Sequence, residues 1–198
     1  MGKETVMEYK VFVRELTGER CDPKEMSRKL CADAINAYCA MECVEMPQTE
    51  EGAGFTPGDF MEEEKGKPYL LGNPVHFSVS HSGLLWLCMV GGAPCGIDIQ
   101  QEQDCSYEKI SARHFNEVEQ EYIGREGLPG FFRLWTMREA YGKYTGRGFY
   151  GEMPSLVSED GQPATEAGGV FFHEIEIGSG IYCTCCTGGK DDEILFVG

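Results

Sequence analysis

Positive charge is scarce in this sequence. Its 198 residues carry 17 Lys and Arg against 33 Asp and Glu, a formal net charge of -16. The deficit is spread evenly, with -7 over residues 1–99 and -9 over residues 100–198, so no acidic tail accounts for it. Such a chain is poorly suited to a nucleic-acid backbone, which is bound by basic side chains that release counter-ions. A phosphorylated small ligand must instead be held by a few placed cations or a metal. Long apolar runs are also missing. No segment approaches the ~18 consecutive apolar residues of a membrane span. Met1–Lys10 is polar, without the apolar core of a leader peptide. The expectation is a cytoplasmic protein that binds neither membrane nor nucleic acid.

Cysteine is plentiful, at ten residues, but the spacings of a metal knuckle are lacking. Cys183, Cys185 and Cys186 are too close together to form two C-x-x-C pairs. Cys39 and Cys43 stand one helical turn apart with no second pair. The thiols therefore read as reduced and mostly buried.

Apolar periodicity divides the chain. Val6–Leu16 alternates Tyr9, Val11 and Val13 as a strand. Asp22, Pro23 and Glu25 form a helix start, with an N-cap, a first-turn proline and a capping-box acid. Met26, Leu30, Ala34, Ala37, Tyr38 and Met41 then follow at helical spacing to about Cys43. Between Pro47 and Pro68, Gly, Pro and Glu predict a long loop. Val75–Ser80, Leu84–Val90 and Cys95–Gln100 read as strands, the first with Val75, Phe77 and Val79 inward. Helices follow residue 100. Asn116 and Glu119 form a second capping box, and a helix is predicted over Pro129–Tyr144. Three apolar segments near 169–177, 181–186 and 193–197 close the chain as strands. Each half thus reads as helices on a small, mainly antiparallel sheet. The fold class is α+β, in two comparable parts, residues 1–99 and 100–198.

Three stretches could carry chemistry. In "FSVSHSG" a strand delivers Ser80, His81 and Ser82 into a turn, as a hydrogen-bonded turn histidine or as a cluster aimed at a phosphate. In "GIDIQ" alternation puts Ile97 and Ile99 on one face and Asp98 and Gln100 on the other. That acid marks either a solvated face or an oxygen ligand for a hard divalent cation. In "WTMREAYGKYTGRG", Trp135, Glu139 and Lys143 share one side of a helix at four-residue steps. They are either an exposed Glu–Lys pair beside a core Trp, or a metal-sharing carboxylate with a phosphate-facing lysine.

Taken in order, "GKP" (Gly66–Pro68), "FSVSHSG", "GIDIQ", "RHFNEVE" (Arg113–Glu119) and "WTMREAYGKYTGRG" resemble the motif series of the 4′-phosphopantetheinyl transferases, in the two-lobed, surfactin-type group. The resemblance spans about residues 20–150. It implies two similar lobes, with the active site at their junction. It also implies transfer of the phosphopantetheine arm of coenzyme A to a serine of an acyl- or peptidyl-carrier protein, leaving 3′,5′-ADP. By the resemblance, Asp98, Glu139 and Lys143 are catalytic. Asp98 and Glu139, with Gln100, hold magnesium, and Glu139 takes the proton of the carrier serine. Lys143 lies on the coenzyme phosphates, Arg28 and His81 on its 3′-phosphate, and Lys67 and Pro68 against its nucleotide. Ser80 and Ser82 flank the ligand.

Two positions depart from the family pattern. Gln100 stands where many relatives have an acid, and Arg138 where Lys is usual. An amide oxygen can ligate magnesium, or hold its water, without adding charge, and Arg138 keeps the charge of Lys. Docking of an acidic carrier on an acidic chain is expected to rest on apolar contacts around Tyr107–Phe115. The chain is longer than a one-lobe trimeric carrier synthase requires, so a monomer is expected. The alternative, a non-catalytic carrier- or coenzyme A-binding relative with a weakened metal site, rests on Gln100 alone.

Overall fold

The structure is a computed structural model that describes residues 6–16, 23–49, 52–63, 66–72 and 75–197. The expected N-cap Asp22 lies outside those residues. Strand β1 (Glu8–Glu15) is covered on both faces: Phe12 packs under a helix, and Tyr9 and Val11 pack toward a second sheet. Helix α1 (Pro23–Glu42) begins at the proline, as expected. Its buried stripe runs through Cys31, Ile35, Tyr38 and Cys39, while Met41 is exposed. Two thiols thus do the work of apolar side chains in the core.

The stretch read as a long loop is more ordered than composition suggested. It forms two hairpins, β2 (Gln48–Thr49) with β3 (Gly52–Ala53), and β4 (Phe60–Glu62) with β5 (Pro68–Leu70). Phe60 and Leu70 face each other in register, and both are buried in the core beneath α1. Two large apolar anchors outweigh the glycines and prolines around them.

Next come β6 (His76–Ser82), β7 (Leu85–Gly91) and β8 (Gly96–Gln101), then α2 (Tyr107–His114), α3 (Glu117–Glu126) and α4 (Leu128–Thr145). The expected capping box at Asn116 is present. Its side chain accepts from the Glu119 amide at 2.9 Å, and Glu119 accepts from the Asn116 amide at 2.9 Å. Glu119 also accepts from the Leu156 amide, so this buried carboxylate ties the helix start to a distant loop. Strands β9 (Glu166–Ala167), β10 (Val170–Glu174), β11 (Ile181–Thr187) and β12 (Glu193–Val197) finish the chain.

The α+β class holds: helices pack on two four-stranded, mainly antiparallel sheets. The first has the order β12-β1-β7-β6, with β1 and β12 parallel, and the second the order β8-β11-β10-β9. The closing strands do not all serve the second sheet. β12 joins β1, guided by the Asp192 carboxylate, which accepts the Met7 amide at 2.9 Å. β8, which contains residues 96–99, belongs to the second sheet. The division expected between residues 99 and 100 therefore cuts a strand, and the halves exchange elements. A cluster of Tyr9, Val11, Leu87, Met89, Ile97, Ile99 and Cys185 joins the sheets. The nine described cysteines are free, and seven of them are buried. Burial pushes the Cys95 thiol up to about 12, so it is inert as a nucleophile. No described helix is long and apolar enough to cross a membrane.

β8 lies directly under α4 because Gly96 has no side chain. A Cβ there would stand 2.1 Å from the Ala140 carbonyl oxygen and 2.8 Å from the Tyr144 nitrogen. Gly96→Ala is expected to destabilise the protein by about 1–3 kcal/mol through overpacking. Gly124→Ala, inside α3 with nothing within 4 Å of the added carbon, should be neutral or stabilise by up to about 1 kcal/mol. Urea midpoints of the two variants check this, and an unshifted midpoint for Gly96→Ala would contradict the close approach.

Candidate active site

The edge strands β6 and β8 meet without a backbone ladder. The alternating serines of β6 take its place. Ser78 Oγ accepts the Ile97 amide at 3.0 Å, Ser80 Oγ the Ile99 amide at 3.2 Å, and Ser82 Oγ the Gln101 amide at 2.8 Å. Ser80 and Ser82 are thus committed to β8. Ser80 does a second thing: it donates to Asp98 Oδ1 at 2.7 Å.

Asp98 is 2% exposed, which excludes the solvated-face reading of its strand. Alternation turns it away from Ile97 and Ile99, which sit between the sheets, and toward α4. There Lys143 Nζ reaches Asp98 Oδ1 at 2.7 Å and donates to the Ile97 carbonyl at 3.1 Å. Gln100 Nε2 lies 3.4 Å from Asp98 Oδ2, and rotation of the amide would bring Oε1 to the same place. The alternative of a surface pair between Glu139 and Lys143 does not form. Glu139 makes no hydrogen bond or ion pair among the described residues. Burial pushes its carboxyl up; Lys143 opposes that shift, and the repulsion of Asp98 adds to it.

Asp98, Gln100, Glu139 and Lys143 line one cavity of about 520 Å³ with Ser80, His81, Val79 and Trp86, and with Lys24 and Ser27 from α1. His81 is exposed at its edge. A neighbouring cavity of about 350 Å³ shares Glu139 and Lys143 and adds Lys67, Pro68 and Phe149. Lys67 Nζ donates to the Lys143 carbonyl at 2.5 Å, tying β5's approach to the last turn of α4. That helix ends at Gly146, which is left-handed at φ 69° as a helix stop requires. The chain then folds back so that Gly148 touches Gly142, where a Cβ would meet the Gly148 carbonyl carbon at 2.7 Å.

One expectation lands elsewhere. Arg28 does not line the cavity. It pairs with Glu62 of β4 at 2.8 Å, next to the Lys24–Glu62 pair at 2.7 Å. Trp135 packs on Phe131 and, at 4.5 Å between ring centroids, on Phe149. Arg138 lies over the Phe149 ring at 5.0 Å. Sequence reasoning missed Ser78, Lys24, Ser27, Trp86 and Phe149. Only the serines left a trace, a period of two through Ser78, Ser80 and Ser82. No group of three His, Cys, Asp or Glu is arranged for a metal among the described residues. The donors that converge are two carboxylates and an amide. That set fits a magnesium ion, which is commonly held by one or two carboxylates together with substrate phosphates. Glu139, without a partner, gains most from such a cation.

Residues 94–184 match the 4′-phosphopantetheinyl transferase superfamily. The chain is 30% identical over 138 residues to the 4′-phosphopantetheinyl transferase gsp of Aneurinibacillus migulanus, covering 65% of this chain and 57% of that protein. It is 33% identical over 115 residues to Sfp of Bacillus subtilis strain 168, with 54% and 51% covered. It is 37% identical over 111 residues to psf-1 of Bacillus pumilus, with 52% and 47% covered. The chain therefore spans about half the length of the curated relatives it matches. Over residues 94–184, and against these relatives, the chain is similar to the 4′-phosphopantetheinyl transferase superfamily and to its surfactin-type members.

Proposed function

We propose that this protein transfers the 4′-phosphopantetheine arm of coenzyme A to a serine of an acyl- or peptidyl-carrier protein, leaving 3′,5′-ADP. The observation that carries the reading is the convergence of Asp98, Glu139 and Lys143 on one cavity, in the motifs of a transferase family. One chain supplies all three residues, so the reading needs no second copy. The two sheets with their helices act as two lobes in this proposal, and the cleft across β6 and β8 is the active site.

Phosphoryl-type transfer asks for charge and position more than for covalent catalysis by the protein. Asp98 and Glu139, with Gln100, would hold magnesium, which supplies positive charge to the pyrophosphate oxygens when bound. Glu139 accepts the proton of the carrier serine, directly or through one water. Burial shifts its carboxyl up, the direction that makes a carboxylate a better proton acceptor. Lys143 balances charge on the phosphates. Lys67 and Pro68 lie against the nucleotide, and Ser80 and Ser82 fix the wall behind it. His81 and Arg28 hold the 3′-phosphate, and Arg28 must then leave Glu62 for it. The carrier approaches over α2 and Phe115, where Tyr107 and Ile110 are half-buried among exposed Lys109, Ala112 and Arg113. Partner recognition on a surface of this acidity rests on apolar fit.

The test is an assay with coenzyme A, magnesium and an apo-carrier domain, read by mass as one arm added to the carrier serine. No mass gain at any magnesium concentration would favour the non-catalytic alternative. Glu139→Gln should lower kcat/KM by about 10² or more, as for loss of a general base or metal ligand. The sign of the pH dependence follows from the raised carboxyl. The base works only when deprotonated, so activity falls as pH drops through the pKa of Glu139, which burial raises and a bound cation lowers. That acid limb should vanish in the residual activity of Glu139→Gln. Near-normal turnover by this variant would remove Glu139 from its role.

The 3′-phosphate contacts are tested with dephospho-coenzyme A, which lacks that group alone. Each charge-assisted hydrogen bond to it is worth roughly 1.5–3 kcal/mol. Arg28→Ala and His81→Ala should each narrow the preference for coenzyme A, measured as a ratio of kcat/KM values. Lys143→Ala should slow both substrates alike. An unchanged ratio in Arg28→Ala would leave Arg28 as a partner of Glu62 only.

A further inference from the structure

Asp98 already has a cation. Its Oδ1 receives both Lys143 Nζ and Ser80 Oγ at 2.7 Å, and the same ammonium is pinned by the Ile97 carbonyl at 3.1 Å. Glu139, one helical turn before Lys143 and lining the same cavity, has no such partner among the described residues. The lysine therefore serves one carboxylate of the pair and leaves the other strained by burial and by like charge. A divalent ion held by Asp98 would share that carboxylate with the ammonium. Asp98 is buried there, so solvent and salt screen the repulsion poorly. The carboxylates cannot hold both cations at full strength.

We propose that Lys143 is the resident counter-ion of Asp98, and that a divalent cation bound between Asp98 and Glu139 displaces it into the cavity. This rests on the magnesium reading given above. The lysine is suited to the exchange, being a compact charge on a flexible stem. Its backbone is held by Lys67 on the Lys143 carbonyl, so the movement belongs to the side chain alone. The exchange couples two events. Without metal, the ammonium is tied to β8 and unavailable to an anionic ligand. With metal, the two carboxylates are satisfied and the lysine is delivered toward the phosphates. In a chain of charge -16, this keeps a buried acid paired in both states. Linkage makes the relation reciprocal: the more firmly Asp98 holds Lys143, the weaker the metal.

The experiment uses the full chain without coenzyme A and manganese(II) as probe, with free ion counted by electron paramagnetic resonance. Lys143→Met should bind manganese about tenfold more tightly than the unsubstituted chain, within the usual range of coupling between sites. Equal or weaker binding overturns the exchange while leaving the metal site in place. No binding by either chain overturns the exchange, and a repeat of the count with coenzyme A present shows whether the metal reading falls with it. Lys143→Met strips a buried acid of its cation and puts folding at risk, so a second measurement uses the unsubstituted chain. Lys143 is acylated with acetic anhydride and followed by mass spectrometry, with exposed Lys109 as internal reference. Magnesium should raise the Lys143-to-Lys109 rate ratio severalfold, and an unchanged ratio overturns the proposal.

Discussion

Between β6 and β8 the backbone ladder of a continuous sheet is replaced by side chains. Three hydroxyls accept three alternate amides of β8, whose remaining amides are free to pair with β11. Nearly everything at the site depends on this substitution. It satisfies the buried Ile97 and Ile99 amides, which would otherwise cost about 1–3 kcal/mol each. It also sets the distance between the two sheets to a serine's reach, which leaves room for a cavity. The middle hydroxyl bonds to both the strand and the carboxylate, so the orientation of Asp98 is fixed by the same contact that joins the sheets. Helix α4 reaches that carboxylate because Gly96 lets β8 lie against its backbone.

The charges of the site follow from this frame. An acidic chain has placed Lys143, Lys67, Lys24 and His81 around one cavity pair, with Asp98 and Glu139 between them. Asp98 is buried and held by Ser80 and Lys143, whereas Glu139 is half-buried and has no partner among the described residues. The two acids therefore differ in what they can do. One is held in place by Ser80 and Lys143, and the other is a carboxyl that burial pushes up. A second layer, the stack of Trp135, Phe149 and Arg138, holds the outer wall against the helix.

Alternation and a four-residue step singled out Asp98, Glu139 and Lys143 but left a solvated face and a surface pair open; the resemblance to a motif series grouped them, and they line one cavity. The strands, helices and the Asn116 capping box were legible because period and cap chemistry are local. What was hidden is non-local. The period-two serines look like the polar face of any half-exposed strand, and only the approach of β8 shows what they accept. β12 alternates as it would on either sheet, and its place beside β1 is set by Asp192 and Met7, at opposite ends of the chain. Phe60 and Leu70 lie in a segment whose glycines and prolines read as loop, so the hairpin that pairs Glu62 with Arg28 was invisible. The cysteines were read as buried thiols from what their spacing could not form, and the described ones are free.

The central claim is that serine hydroxyls, acting as a sheet edge, hold β8 and with it Asp98. Amide hydrogen exchange resolved by residue tests it most directly. The Ile97 and Ile99 amides, which have no backbone acceptor across the seam, should exchange as slowly as those of Asp98 and Gln100, which face β11. Ser80→Ala should speed exchange at Ile99 while Asp98 stays slow. Exchange of Ile97 and Ile99 at the rate of an open edge strand would contradict the account.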